Sequence, residues 1–177
     1  MTKPRNIILA IVDISGYTHF IKTHRASRVH AEEIIFDLLE AVINRAEYPL
    51  TLNKLEGDAL SLYADLIPGE ETAAARDVVR QIQQFFETFH ARKDELIQER
   101  ADCACNACQH VTDLRLKAFL HQGEALFRQI RQFEELAGED VILIHRLLKN
   151  SIPAVEYVAA TCVFAALLGN NLPNVRP

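Results

Sequence analysis

Leu50-Thr-Leu-Asn-Lys54-Leu-Glu-Gly57-Asp58-Ala-Leu-Ser-Leu-Tyr-Ala64 is the stretch from which the fold can be read. Leu50 to Leu55 and Ala59 to Ala64 read as two short strands around Glu56-Gly57-Asp58, and so short a connection predicts a tight hairpin turn. Upstream, Ile34, Ile35, Leu38, Leu39, Val42 and Ile43 recur at helical spacing. They predict an amphipathic helix from Ser27 to about Ala46, closed off by Pro49. Further upstream, Ile7-Ile-Leu-Ala-Ile-Val12 is an unbroken apolar run that suits a central strand covered on both faces, ending at the turn-like Asp13-Ile-Ser-Gly-Tyr-Thr18.

Downstream of the hairpin, Pro68-Gly69 precedes a long helix from near Glu71, with Val78, Val79, Ile82, Phe85, Phe86, Phe89 and Leu96 on its buried stripe. Leu114, Leu116, Ala118 and Leu120 alternate with Arg115, Lys117 and His121, the pattern of a half-buried strand. Glu124 to Ile130 reads as the next strand, Gly138 to Lys149 as a helix, and Thr161 to Leu168 as a last short helix. The order is β-α-β-β-α-β plus additions, an α/β (α+β) pattern of the ferredoxin-like kind with a mainly antiparallel sheet. In it the first strand lies antiparallel beside the third. Asp13 and Asp58 then become neighbours.

Bulk properties narrow the function. The chain of 177 residues is 49% hydrophobic and 24% charged, which fits one domain over 1–177 with a core that needs no staples. A net charge of −5, spread along the chain, offers no basic stripe for a nucleic-acid partner. No apolar run approaches the roughly 20 residues of a membrane span, and no cleavage signal follows the basic start. A cytoplasmic protein with reduced cysteines is expected.

Two carboxylates forced together repel, and one takes up a proton unless a cation lies between them. Mg²⁺ accepts one or two carboxylates and completes its shell with water and phosphate oxygens. Gly16 and Gly57 flank the pair and would let phosphates approach the backbone. Aspartate is also common in turns for purely structural reasons. Elsewhere, Cys103-Ala-Cys105-Asn-Ala-Cys108 holds three of the four cysteines. Thiolates so close can share a soft ion such as Zn²⁺, with His110, His121, Cys162 or a partner subunit as fourth ligand. Three small side chains in an irregular loop would read the same way. His19, His24 and His30 show no spacing that sets two on one helix face with an acid, and read as surface or cap residues. Hydrolase and phosphate-loop motifs are absent.

Several of these elements together resemble class III adenylate and guanylate cyclases. Asp13-Ile-Ser-Gly-Tyr-Thr is similar to that family's Asp-Ile-x-Gly-Phe-Thr element, and Lys54-Leu-Glu-Gly-Asp58-Ala to its Lys-x-x-Gly-Asp-Ala hairpin. Leu120-His-Gln-Gly-Glu124 resembles its strand ending in His-x-Gly, and Gly138 to Arg146 the segment closing with an arginine. With the cysteine cluster, the chain looks like an uncharacterised bacterial branch of that superfamily.

The resemblance implies that Asp13 and Asp58 hold Mg²⁺ or Mn²⁺, and that the backbone at Ile14, Gly16 and Gly57 meets phosphate. It further implies that Lys54 and Glu135 contact a purine base, lysine favouring adenine, and that Arg146 steadies charge on the reacting phosphate. It implies a homodimer whose two sites each take aspartates from one subunit and arginine from the other. Two departures stand against turnover. Ile142 replaces the family's asparagine one helical turn before the arginine, and the chain stops at Pro177, short of the family's lysine-bearing hairpin. The expected function is therefore binding of a purine nucleoside triphosphate, ATP favoured, with weak adenylate cyclase activity; the alternative is an inactive cyclase-fold sensor or interaction module.

Overall fold

The computed structural model describes residues 3–23 and 25–169. Its elements run β1 (Arg5–Ser15), α1 (Tyr17–Thr23), α2 (Arg28–Asn44), β2 (Thr51–Glu56), β3 (Ala59–Asp65), α3 (Glu71–Glu99), α4 (Asn106–Gln109), β4 (Arg115–Ile130), β5 (Phe133–Ala137), α5 (Glu139–Leu147), β6 (Tyr157–Ala160) and α6 (Cys162–Leu168). Strands lie in the order β2-β3-β1-β4-β5, and β6 joins β4 in parallel. β1 is central and antiparallel to both β3 and β4. The core β1-α2-β2-β3-α3-β4 is the ferredoxin-like arrangement expected from the order of elements.

The unbroken apolar run of β1 is explained by cover on both sides. Ile8, Ala10, Val12 and Ile14 pack under α2 and α3, against residues such as Leu38, Phe85 and Phe89. Ile7, Leu9 and Ile11 face the opposite layer, where Phe119, Ala125 and Ile144 meet them. Phe85 and Phe89 stand one turn apart on α3 and are fully buried. Truncating either to Ala should cost about 3–5 kcal/mol.

Two expectations need correction. β1 does not end at Asp13 but continues to Ser15, and the supposed turn leads directly into α1. Residues 114–121 and 124–130 do not form two strands; they belong to one strand, β4, of 16 residues. The change of pattern near Gly123 marks a change of neighbour: β4 pairs with β1 as far as Ala125 and with β5 from Leu126 onward. β5 and β6, of five and four residues, were too short to leave a periodic signal. Among the described residues no helix is long and apolar enough to cross a membrane.

Candidate functional site

The hairpin between β2 and β3 turns at Gly57, whose φ is +66°, followed by Asp58. A positive φ at the first of two turn residues is the signature of a type II′ turn and accounts for glycine there. Asp13 lies opposite Ala59 in the β1–β3 register, and the Ile14 N–H donates to the Asp58 carbonyl at 3.2 Å. The two carboxyl groups consequently meet. Burial, then the charge of Asp13 beside it, pushes the Asp58 carboxyl up to about 6. Asp58 therefore retains its proton where an ordinary aspartate has lost it.

A third charge enters from β4. Lys117 lies opposite Asp13 in the β1–β4 register, and its Nζ is 3.0 Å from Asp13 Oδ2, with both side chains less than a fifth exposed. Alternation along β4 marked Lys117 only as the outward residue of a half-buried strand; the pairing needed the register. With both aspartates ionised the trio carries a net charge of −1. The donor set still fits one divalent cation: Lys117 takes one oxygen of Asp13, and the hard carboxylate oxygens are of the type Mg²⁺ and Mn²⁺ accept. Beyond Gly16 and Gly57, nothing lies within 4 Å of where a side chain would begin. The Ile14 amide is spent on Asp58 and its side chain is buried, so of the backbone positions only Gly16 and Gly57 keep an open approach.

A cleft opens on the α5 side of the sheet. It encloses about 450 Å³ including its mouth, between β1, β2, β5 and α5, and is lined by Lys54, Glu56, Leu136, Val141 and His145 among others. β2 and β5 are at opposite ends of the strand order, yet they touch. Lys54 pairs with Glu135, Asn53 Nδ2 donates to the Glu134 carbonyl at 2.8 Å, and Tyr63 Oη donates to Glu134 Oε1 at 2.8 Å. These contacts hold the β4–β5 arm over the cleft. His145 Nε2 is 3.4 Å from Glu56 Oε2 at its rim. Lys54 and Glu135 are thus together, whereas neither Asp13 nor Asp58 lines the cleft.

Arg146 is exposed on α5, and among the described residues it makes no ion pair or side-chain hydrogen bond. Ile142, one turn earlier, is 55% exposed. The start of α5 is anchored firmly. Asp140 accepts from the Glu124 N–H at 2.7 Å and meets His121 Nε2 at 3.0 Å, while His121 Nδ1 is 2.9 Å from Thr161 Oγ1. The Glu124 N–H, and then His121, hold the Asp140 carboxyl below its usual value. A side chain at Gly123 would come within 2.3 Å of Asp140 Cγ. The Leu120-His-Gln-Gly-Glu124 element therefore serves to seat α5.

The cysteine trio gathers around a residue expected to be a mere surface histidine. His30, in the first turn of α2, places Nδ1 3.3 Å from Cys105 Sγ, 3.5 Å from Cys103 Sγ and 3.6 Å from Cys108 Sγ. The four ligand atoms lie within 4.8 Å of one another and could hold a metal ion. The other expected candidates are engaged elsewhere: His121 holds Asp140 and Thr161, His110 Nδ1 is 2.8 Å from the Asn106 carbonyl, and Cys162 is exposed at the start of α6. Burial and the neighbouring thiols push Cys108 up to about 12. Burial opposes ionisation of Cys105 as well, yet hydrogen bonds from the Cys108 N–H, His30 and the other thiols bring it down to about 6.

The fold is the one found in class III adenylyl and guanylyl cyclase domains. The chain superimposes on the adenylyl cyclase CyaB of Pseudomonas aeruginosa with a TM-score of 0.75 at 17% identity, covering 97% of this chain and 84% of that one. A class III adenylyl cyclase-like ATP-binding protein of the same organism gives 0.72 at 14% identity over 94% of this chain and 35% of that one. The guanylyl cyclase Cya2 gives 0.64 at 16% identity over 99% and 87%. Within that fold the chain belongs to DUF2652, a family of proteins of unknown function whose model matches residues 35–157. The matched segment contains Lys54, Asp58, the three clustered cysteines, Lys117 and Arg146, whereas Asp13 and His30 precede it. An uncharacterized protein of Mycobacterium tuberculosis is 36% identical over 135 residues, 76% of this chain; the chain spans 60% of that relative's length.

Proposed function

We propose that the chain binds a purine nucleoside triphosphate, ATP in preference to GTP, with one Mg²⁺ or Mn²⁺ at the interface of a homodimer in the cytoplasm, and that any cyclic AMP formation is residual. The observation that carries this reading is the carboxyl of Asp58 pressed against that of Asp13 and raised to about 6, an arrangement relieved by a cation. The description of a Pseudomonas aeruginosa protein of this fold as ATP-binding supports the same pairing of fold and ligand.

Asp13 and Asp58 would hold the cation, which when bound supplies charge neutralisation for phosphate oxygens and activation of the attacking ribose hydroxyl. Lys117 contributes a fixed positive charge beside them and limits the site to one ion. At the cleft, the Lys54 ammonium is a donor and the Glu135 carboxylate an acceptor. Adenine offers a matching ring-nitrogen acceptor and an amino donor; guanine reverses the polarity at its carbonyl. Arg146, which has no ion pair or side-chain hydrogen bond among the described residues, would offset charge on the phosphate from the second subunit. Ile142 supplies no hydrogen bond beside it, and loss of one positioned donor costs about 100-fold or more in rate. Leu55, Ile130, Phe133 and Ile142 expose apolar surface on the elements around the cleft, which a second copy of the chain would cover.

A second reading, an interaction module without nucleotide, is favoured by the Lys117–Asp13 pair, since an internal ammonium already offsets one carboxylate. Calorimetry of ATP with Mn²⁺ separates the two. Wild type should bind, and Asp58→Ala should weaken binding by on the order of 100-fold, the scale of a lost charge-assisted contact. Failure of wild type to bind at millimolar ATP leaves the interaction module. Rapid cyclic AMP production by wild type under saturating Mn²⁺ overturns the claim of residual turnover.

A further inference from the structure

We propose that His30, Cys103, Cys105 and Cys108 form a structural Zn²⁺ site that fastens the start of α2 to the segment following α3. With Zn–S about 2.3 Å and Zn–N about 2.0–2.1 Å, a tetrahedral ion places nitrogen and sulfur about 3.6 Å apart. The three N···S distances, 3.3, 3.5 and 3.6 Å, cluster at that edge length. One ring nitrogen cannot hydrogen-bond three thiols at once: it has either a single proton or a single lone pair. Three sulfurs converging on that one atom are the arrangement a shared central ion explains. A multi-iron cluster would need its thiolates spread more widely than these, whose ligand atoms stay within 4.8 Å.

The surroundings fit the charge of such a site. Three thiolates, a neutral imidazole and Zn²⁺ sum to −1. The Arg100 guanidinium interacts with Cys108 and also reaches Glu33 and Asp37 on α2, so a cation is stationed next to the excess charge. The Cys108 N–H donates to Cys105 Sγ at 3.4 Å, the type of backbone bond that orients a ligating sulfur. Cys108 and Ala107 are buried against the main core, and four protein ligands leave no coordination position open, as in structural zinc sites.

The location gives the site its role. Residues 16–27 connect Asp13's strand to α2, and α1 is too short to be stable alone. His30 lies just past that connection, in the first turn of α2, and the Ser27 hydroxyl at the helix start accepts from the Ala107 N–H at 3.3 Å. Zinc would fix the far end of the segment whose near end carries Asp13, and would do so whether or not nucleotide binds.

Protein purified under reducing conditions without a polyhistidine tag should contain about one Zn per chain by mass spectrometry. Exchange with Co²⁺ should give the strong visible bands of a tetrahedral ion and a thiolate-to-metal band in the near ultraviolet. Chelation should lower Tm by on the order of 10 °C and speed hydrogen exchange in 16–31 and 100–114 more than in the sheet. His30→Ala should weaken Zn²⁺ binding at least tenfold, with His110→Ala unchanged. Metal-free wild type of undiminished Tm that takes up no Zn²⁺ or Co²⁺ overturns the site. Unaltered affinity in His30→Ala overturns its fourth ligand, and tightly bound iron overturns the ion. Because the cobalt spectrum is read on wild type, a variant that fails to fold does not remove the test.

Discussion

At the tip of β1 two carboxylates crowd together with the Lys117 ammonium wedged against one of them; at the foot of α2 three thiols crowd around an imidazole, and a cation, Arg100, stands outside the ring of sulfurs. Both places concentrate groups that repel one another once ionised. The carboxylates have an internal countercharge in Lys117, so an ion added there would be a ligand that comes and goes. The thiols lack a charge at their centre, and burial holds Cys108 protonated even though Cys105 is brought down to about 6. An ion bound there would become part of the fold. Closeness of like groups does not by itself tell a binding site from a structural one; where the compensating cation sits does.

The comparison can be sharpened by removing that countercharge. Lys117→Met should tighten Mn²⁺ binding, measured without nucleotide, by about tenfold or more, or about 1.4 kcal/mol, since a unit charge within a few ångströms of the ion is deleted. Weaker binding in this variant would mean that Lys117 organises the carboxylates and does not compete at them. A smaller effect concerns pH. The folded chain holds the Asp58 proton up to about 6, whereas an unfolded chain releases it near 3.8, so stability is lost as pH rises through that window. Asp58→Asn should therefore stabilise the metal-free protein at pH 8 by about 1 kcal/mol after allowing for solvent access, and give no gain at pH 3.5. A gain independent of pH would show that packing is responsible. Smallest of all, Lys54→Gln should change Tm by no more than about 2 °C, because its pair with Glu135 is about a third exposed. Its effect should show instead as a reduced preference for ATP over GTP in competition binding.

Much of this was legible in the sequence because it is local or depends on the period of a single element. The apolar run of β1, the stripe of α3 and the Gly57 turn each carry their own signal. The meeting of Asp13 with Asp58 followed from the order of elements alone. Lys117 was hidden because alternation says which face a strand residue takes but not what lies across from it. His30 was hidden by some 75 residues of separation from the cysteines and by standing alone on its helix. β4 looked like two strands because burial changes where its partner changes. In each case the missing information was register or long-range placement.

The missing side chain at Gly123 reaches beyond its own position. Asp140 fills that gap as a peg fills a socket, with the Glu124 amide and His121 gripping it from two directions. Turning α5 by one residue, about 100°, would pull the peg free. The bearing of Arg146, a turn and a half farther along, is in this way dictated from the opposite strand by a methyl group that is not there.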